Sequence, residues 1–426
     1  MNKIKGDMMK RRELFFILVL IFLGSSCSLA GEYYERFVLE AGKTEVLPMP
    51  LSLDIEGINL HRGTKEVALY RLNEDEKIPI ACQIEEGKRD RLWFIPDRII
   101  RAKEAVSFEI VFEDRKKQDV LISAFTDAEA ITLSYNDKNI LRYYSAMHKV
   151  PEGVDALFSR SGFIHPVWSP AGKVLTKIQP ADHYHHYGIW NPWTRTKVEG
   201  EEVDFWNLGE GQGTVRFAEV LSTVSGPVYG GFKVRQEHVV LKENKTAINE
   251  VWDVRAFVCR IDNKAVWVID FTTILRNALD SPIELTNYRY GGGIGFRATE
   301  KWMRENCSVL TSEGKSRKDA DGTRARWCDV NGATGAGEYS GIVFFSHFAN
   351  RDHPEPMRVW PLDAAEGKGY MFFEFCPIRL KSWNLYPDKR YELRYRMIVY
   401  DGKMNPGTAE TIWQNYACRP AITLKK

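Results

Sequence analysis

The sequence predicts an all-β fold: a small N-terminal β-sandwich followed by a large antiparallel β-sandwich. Three observations lead there. Short runs alternate apolar and polar residues between turn-forming residues, hardly any segment repeats at the helical period, and the later runs are too long and too numerous for one immunoglobulin-like sandwich.

The first segment is a targeting signal by its pattern. Lys10, Arg11 and Arg12 form a basic patch, and Leu14 to Leu23 is an apolar run too short to span a bilayer as a mature helix. It ends in Leu23-Gly24-Ser25-Ser26-Cys27, small residues before a lone cysteine. That arrangement predicts a signal peptide over 1–27, a lipid anchor at Cys27 and residence in the cell envelope, periplasmic or at the outer membrane. Simple secretion with a cut near Ala30 is the alternative. No later stretch is apolar enough to cross a membrane, so no transmembrane span is expected in the mature chain.

From residue 32 to 125 the runs Glu66-Val67-Ala68-Leu69-Tyr70-Arg71-Leu72 and Val106-Ser107-Phe108-Glu109-Ile110-Val111-Phe112 alternate as antiparallel strands of a small sandwich do. Lys116 to Asp119 is a polar break, and the boundary is set near Ala124. Residues 126–426 carry longer strands, among them Ala247–Val254, Val266–Leu275 and Tyr391–Tyr400, which call for a larger two-sheet sandwich. Only Gly407 to Tyr416 reads as a helix, with Thr408 as its N-cap.

Composition narrows the function. The chain has 426 residues, a formal charge of +2 and 12% aromatic residues. Its Lys/Arg and Asp/Glu are interspersed, which excludes a nucleic-acid footprint. There is no CxxC pair, so a structural zinc site of that kind is not expected. Cys307 and Cys328 flank a polar loop and are either a disulfide or two buried thiols.

The concentrated patch of chemistry is Asp182-His183-Tyr184-His185-His186-Tyr187-Gly188-Ile189-Trp190. Extended backbone at its start would send His183 and His185 to one side and His186 to the other, with Asp182 fixing a ring tautomer. Hydrogen-bonded core histidines at a sheet corner are the plainer alternative. Next come Asp204-Phe205-Trp206-Asn207 and the glycine-rich turn Gly209 to Gly213, read as a hairpin loop. An acid and an indole suit a sugar, whose C–H faces stack on aromatic rings. Tyr288, Arg289 and Arg297 surround a flexible Gly291–Gly293 turn, and arginine forks clamp carboxylates. Arg326, Trp327, Asn350 and His353 complete the candidate binding residues, on Pro-rich polar loops.

In these segments the chain resembles the PmoA-like ("methane oxygenase PmoA") family of bacterial envelope proteins, common in sugar-utilisation loci. The resemblance lies in Ser161 to Lys173, Asp182-His183-x-His185-His186-x-Gly188, Asp204-Phe205-Trp206, Gly292-Gly293 to Arg297, Arg326-Trp327, Asn350-x-x-His353-Pro354 and Tyr395-Arg396 to Asp401-Gly402. It runs from about Ala130 to Gly402. The commoner family pattern has Pro and Arg where this chain has Tyr184 and Tyr187, so a role resting on that arginine does not transfer. A membrane oxygenase subunit needs several apolar spans, which this chain lacks after its leader. The resemblance therefore implies a large sandwich similar to the galactose-mutarotase-like supersandwich, a fold that by itself specifies no reaction.

Three functions follow from these residues. The first is an exported carbohydrate-active enzyme, a hydrolase, lyase or epimerase. His183, His185 and His186 would work in it with Asp182, and with a carboxylate such as Asp204 or Glu374, while Trp190 and Trp206 contact the sugar. No cofactor is required. The second is a divalent-metal-dependent hydrolase or oxygenase in which His183 and His185 join His347 or His353. The third is a glycan-binding lipoprotein without catalysis.

Overall fold

The computed structural model describes residues 34–56, 66–74, 76–114 and 118–425. The leader and Cys27, and the start of the polar break at Lys116, lie outside the described residues.

Two eight-stranded antiparallel sheets make the large sandwich. The back sheet runs in the order Gly213–Val224, Tyr229–Val240, Lys245–Ile261, Lys264–Asn277, Arg390–Asp401, Glu338–Ser346, Trp327–Gly335 and Cys307–Thr311. The front sheet runs Met357–Val359, Phe372–Phe375, Ile294–Arg297, Ile189–Trp190, Phe163–Val167, Lys138–Tyr144, Ala130–Tyr135 and Ile122–Thr126. The expected all-β, two-sandwich architecture is present.

The period of two decides what each face carries. In the back sheet Trp267, Ile269, Phe271, Ile342, Phe344, Met397 and Val399 face the front sheet and form the main core. Their neighbours Val266, Val268, Val343, Phe345, Ile398 and Tyr400 face outward and are buried under the helix Pro406–Ala417 and Leu47, Met49 and Trp93 of the small sandwich. In the front sheet Ile164, Ile189, Phe296 and Phe373 point inward. Phe163, Trp190 and Phe372 point outward into a separate aromatic cluster.

One carboxylate sits inside the main core. Glu250 accepts hydrogen bonds from Asn191 Nδ2, Gln236 Nε2 (2.9 Å), His238 Nε2 (2.8 Å), Trp252 Nε1 (2.7 Å) and Thr273 Oγ1 (2.6 Å). Burial opposes its ionisation, but these donors, His238 foremost, hold its pKa below the usual carboxylate value. The network satisfies a group that would otherwise be costly in an apolar interior.

The small sandwich pairs a five-stranded sheet with the three-stranded sheet Leu51–Asp54, Arg91–Phe94 and Cys82–Glu85. The five-stranded sheet takes its edge strand, Ala421–Lys425, from the far end of the chain, paired antiparallel with Tyr34–Glu40. This departs from the expected division, which gave 126–426 wholly to the large sandwich. Ile122–Thr126 likewise pairs with Ala130–Tyr135 and so belongs to the front sheet. Neither pairing leaves a local sequence signal.

One further expectation is corrected, and one open alternative is decided. The helix is capped by Asn405, not Thr408. Its Oδ1 accepts from Gly407 N (2.8 Å) and Thr408 N (3.2 Å), and Pro406 occupies the first turn, where its missing N–H costs nothing. Cys307 and Cys328 are free buried thiols, because the strand register sets Cys307 opposite Gly332 and Cys328 opposite Thr311.

Candidate functional site

The histidine segment lies against the outward aromatic face of the front sheet. It is a sequence of turns, not an extended strand: His183 N donates to Pro180 O (2.8 Å) and His186 N to His183 O (3.0 Å). The expected split of the rings therefore does not occur. The His183 ring stacks on His186 at 4.7 Å, and His185 lies 5.4 Å from His183 and 4.8 Å from His186.

Both legs of the turn are stitched to Arg297. Its backbone N–H donates to Gly188 O (2.8 Å), and its carbonyl accepts from Lys177 N (3.0 Å). Gly188 closes the turn with φ of 63°, and a Cβ there would stand 2.3 Å from the Ile164 carbonyl oxygen. Gly188→Ala is accordingly expected to destabilise the protein by more than about 1 kcal/mol in urea unfolding, and an unchanged midpoint would contradict this account of the turn.

Arg297 carries its side chain under the same turn. It is 1% exposed, and its Nη2 donates to both Asp182 oxygens at 2.8 Å. Asp182 also accepts from His183 Nδ1 at 3.0 Å. Burial pushes the Asp182 pKa upward, but the His183 hydrogen bond and the Arg297 charge outweigh it and hold the group at about 2. An ionised carboxylate only accepts, so the His183 proton is on Nδ1 and its Nε2 is left as a base. The His183 side chain keeps 34% of its surface exposed. Arg297 Nη1 also approaches His186 Nδ1 at 3.3 Å, which places the proton of that ring on Nε2.

The other two imidazoles are neutral. Burial first, then the neighbouring His183 ring and the Arg297 charge, push His185 down to about 3. His186 is driven well below its ordinary value, again mainly by burial. A lowered folded pKa stabilises above the unfolded value, about 6.5 for histidine, and that stability is lost as pH falls through the folded value. Unfolding free energy is thus expected to decline from about pH 6.5 towards 3, and His185→Gln should flatten part of the decline. Parallel curves for the two proteins would refute this reading of His185.

Aromatic rings floor and flank the site. His186 packs on Trp190 (5.3 Å), Phe372 (5.1 Å), Trp360 (5.5 Å) and Trp206 (5.9 Å). Trp360 also lies against His183 (4.8 Å) and under the Arg297 guanidinium (5.0 Å). Trp206 meets Tyr290 at 4.9 Å, and the Tyr290 hydroxyl accepts from Arg358 Nη2 at 3.1 Å. Half-buried Tyr288 and Tyr290 and exposed Arg289 continue this wall, with Arg289 over both rings. Trp360 and Arg358 carry no site signal in the sequence, where they look like ordinary residues of a short strand and its end, and neither does Tyr370, whose ring lies 5.4 Å from the Arg297 guanidinium.

Several expected site residues take other roles. Asp204 braces its own turn: one oxygen accepts from Trp206 N and Asn207 N (both 2.8 Å), the other from Thr194 Oγ1 (2.7 Å) and Asn207 Nδ2 (2.6 Å). It has no free acceptor for a proton-transfer role. Trp190 and Trp206 are buried, so they support the histidines and offer no open face to a sugar. Arg297 clamps Asp182 and not a ligand carboxylate. Glu374 is fully buried, accepts from Gly291 N (2.8 Å), and burial raises its pKa well above the usual value. Its surroundings disfavour the ionised form that a proton-accepting partner needs.

Arg326, Trp327, Asn350 and His353 are not brought to the histidines. They brace the back sheet against the helix. Arg326 and the Trp327 indole N–H both bind Glu410, the His353 ring stacks on Trp413, and Asn350 holds Glu355 and the Arg394 backbone. The alternative metal set of His183, His185 and His353 is thus split between opposite sheets. Among the described residues no group of three His, Cys, Asp or Glu side chains is arranged to hold a metal.

Volume alone would point elsewhere. A hollow of about 720 Å³ lies at the junction of the two sandwiches, lined by Leu47, Ile95, Leu121, Tyr135 and Val258 among others. It contains none of the histidine-site groups. A carboxylate-anchored imidazole with a free nitrogen outweighs it as a centre of chemistry.

The sequence matches a family model over residues 130–414, described as a family of unknown function (DUF6807). The chain belongs to this family. The DUF6807 match takes in the back sheet, the histidine turn and the front sheet except its edge strand Ile122–Thr126. No curated protein matches the sequence. Among solved structures the chain is similar to a glycosyl hydrolase family 38 protein from Enterococcus faecalis, at 10% identity and a TM-score of 0.43, covering 92% of this chain and 47% of that one. It is also similar to an alpha-mannosidase from Enterococcus faecalis V583, at 9% identity and a TM-score of 0.42, covering 92% and 46%. An alpha-galactosidase from Lactobacillus brevis follows at 9% identity and a TM-score of 0.23, covering 68% and 40%. The chain spans about half the length of the first two structures. Scores this low assign no reaction.

Proposed function

We propose that this DUF6807 protein is an exported carbohydrate-active enzyme, a hydrolase, lyase or epimerase, in which His183 moves the proton. The observation that carries the reading is the Asp182–His183 pair held by Arg297, which fixes the tautomer and leaves Nε2 free on a ring that keeps part of its surface exposed. Asp182 orients the ring and places a negative charge beside the imidazolium formed when Nε2 takes a proton from water or from the sugar. Tyr290 supplies the opposite role. Its oxygen is occupied by the Arg358 donor, so its own proton is directed away from that arginine and is available to a leaving or ring oxygen. Neutral His185 and His186 keep further positive charge away from the base.

A sugar suits the surroundings because half-buried tyrosine rings offer apolar faces while Arg289 and Arg358 offer donors to hydroxyls. Incubating the protein with a panel of envelope and plant glycans, with products detected by mass, tests the proposal. A product absent from the His183→Ala reaction supports it. Binding of a glycan without any turnover would convert the reading to a non-catalytic glycan-binding protein.

The lipid anchor is part of the same proposal and rests on Leu23 to Cys27. Cells fed labelled palmitate should label the full chain, and Cys27→Ser should abolish the label. Retained label in that variant would remove the anchor.

A further inference from the structure

The outward face of the back sheet changes character along its strands. Under the helix it is apolar, but further along the same alternation presents Asp253 and Arg255, Asp270 and Thr272, and the row Arg390, Glu392, Arg394 and Arg396. A cleft of about 380 Å³ opens over this stretch. Arg91 and Trp93 of the small sandwich wall it on one side, and Tyr416 and Arg419 after the helix wall it on another.

The charges in the cleft do not balance. Arg396 is neutralised by Asp270, bound at 2.6 and 2.9 Å. Arg255 and Lys233 share Glu85 and Asp253, a junction that ties the two sandwiches together. Arg390 and Arg394 share the single carboxylate of Glu392. Arg91 and Arg419 line the cleft with no ion pair of their own among the described residues. Desolvation lowers the Arg419 pKa; Asp270, already bound to Arg396, opposes the shift, while the neighbouring cations Arg396 and Arg91 add to it. His347, also in the lining, is pushed down to about 4 by burial and then by the charges of Arg394 and Arg419.

An interdomain brace alone would pair each guanidinium with a carboxylate, as Arg255 does. Surplus arginines around a concave, mostly polar space are instead the arrangement that receives oxyanions, because the guanidinium fork matches their geometry and is shed of water at little cost. We propose that this cleft is a second binding site, separate from the histidine turn, for a small organic oxyanion such as a uronate, sulfated or phosphorylated sugar, with Arg91 and Arg419 as its principal contacts.

Calorimetric titration of the full chain in a low-salt zwitterionic buffer tests it, with sodium galacturonate, sodium sulfate and inorganic phosphate as separate probes and galactose as the neutral control. At least one anion should bind saturably, and which one does so distinguishes the three sources of negative charge. That binding should weaken at least tenfold in Arg419→Gln or Arg91→Gln, with thermal melting confirming that each variant is folded. It should persist in Arg419→Lys within a few fold and be unchanged in His183→Ala. No saturable binding of any of the three anions would overturn the proposal. So would binding that both glutamine variants leave within twofold, or binding that His183→Ala abolishes.

Discussion

Replacing His183 by Ala should lower turnover by roughly 10²- to 10⁴-fold, the usual contribution of a positioned acid or base, while leaving the melting temperature nearly unchanged. The expectation of unchanged folding comes from the exposure of this ring, which rests on His186 and Trp360 and does not seal the core beneath them. Asp182→Asn tests the mechanism more finely. The asparagine can keep one hydrogen bond but removes the charge beside the imidazolium, so turnover should fall while the fold is retained. His183→Ala with wild-type turnover on a substrate the native protein converts would eliminate the proposed base. A parallel loss in His185→Ala alone would move the role to its neighbour.

The largest loss of stability is expected from Glu250→Ala, at about 3–5 kcal/mol, because removing one member of a buried charged network strands its partners. Five side chains donate to this carboxylate: Asn191, Gln236, His238, Trp252 and Thr273. Asn191 immediately follows Trp190, so the same carboxylate holds the strand that ends beneath the histidine turn. Glu250→Gln should be milder in volume yet still costly, since it points an amide donor at groups that are themselves donors. Denaturant unfolding measures both. A loss below 1 kcal/mol in Glu250→Ala would mean that water or rearrangement replaces the network and that the carboxylate is dispensable to the fold.

Much of the fold was legible because strand alternation is a local property. Ala105–Glu113 and Lys264–Asn277 read directly from their runs of inward and outward residues. The candidate site was legible only as composition. Three histidines beside an aspartate announced themselves, but their geometry depends on Arg297, which is 115 residues from Asp182 in sequence and reaches it only through sheet pairing. Long-range registers also carried Arg326, Trp327, Asn350 and His353 to the opposite sheet, although Trp327 stands only thirty residues beyond Arg297 in the numbering. Asp204 and Trp206 misled for a different reason. Acid and indole are as useful for closing a turn and filling a core as for holding a sugar, and the residue type does not distinguish the uses.

The pairing of Ala421–Lys425 with Tyr34–Glu40 has a bearing on how the protein is made. Tyr34–Glu40 acquires this outer neighbour only after Ala421–Lys425 has been translated, so until then its outer edge presents bare amide and carbonyl groups to any passing β-segment. Deleting Ala421–Lys425 would leave both eight-stranded sheets whole, yet expose that ribbon permanently and favour self-association.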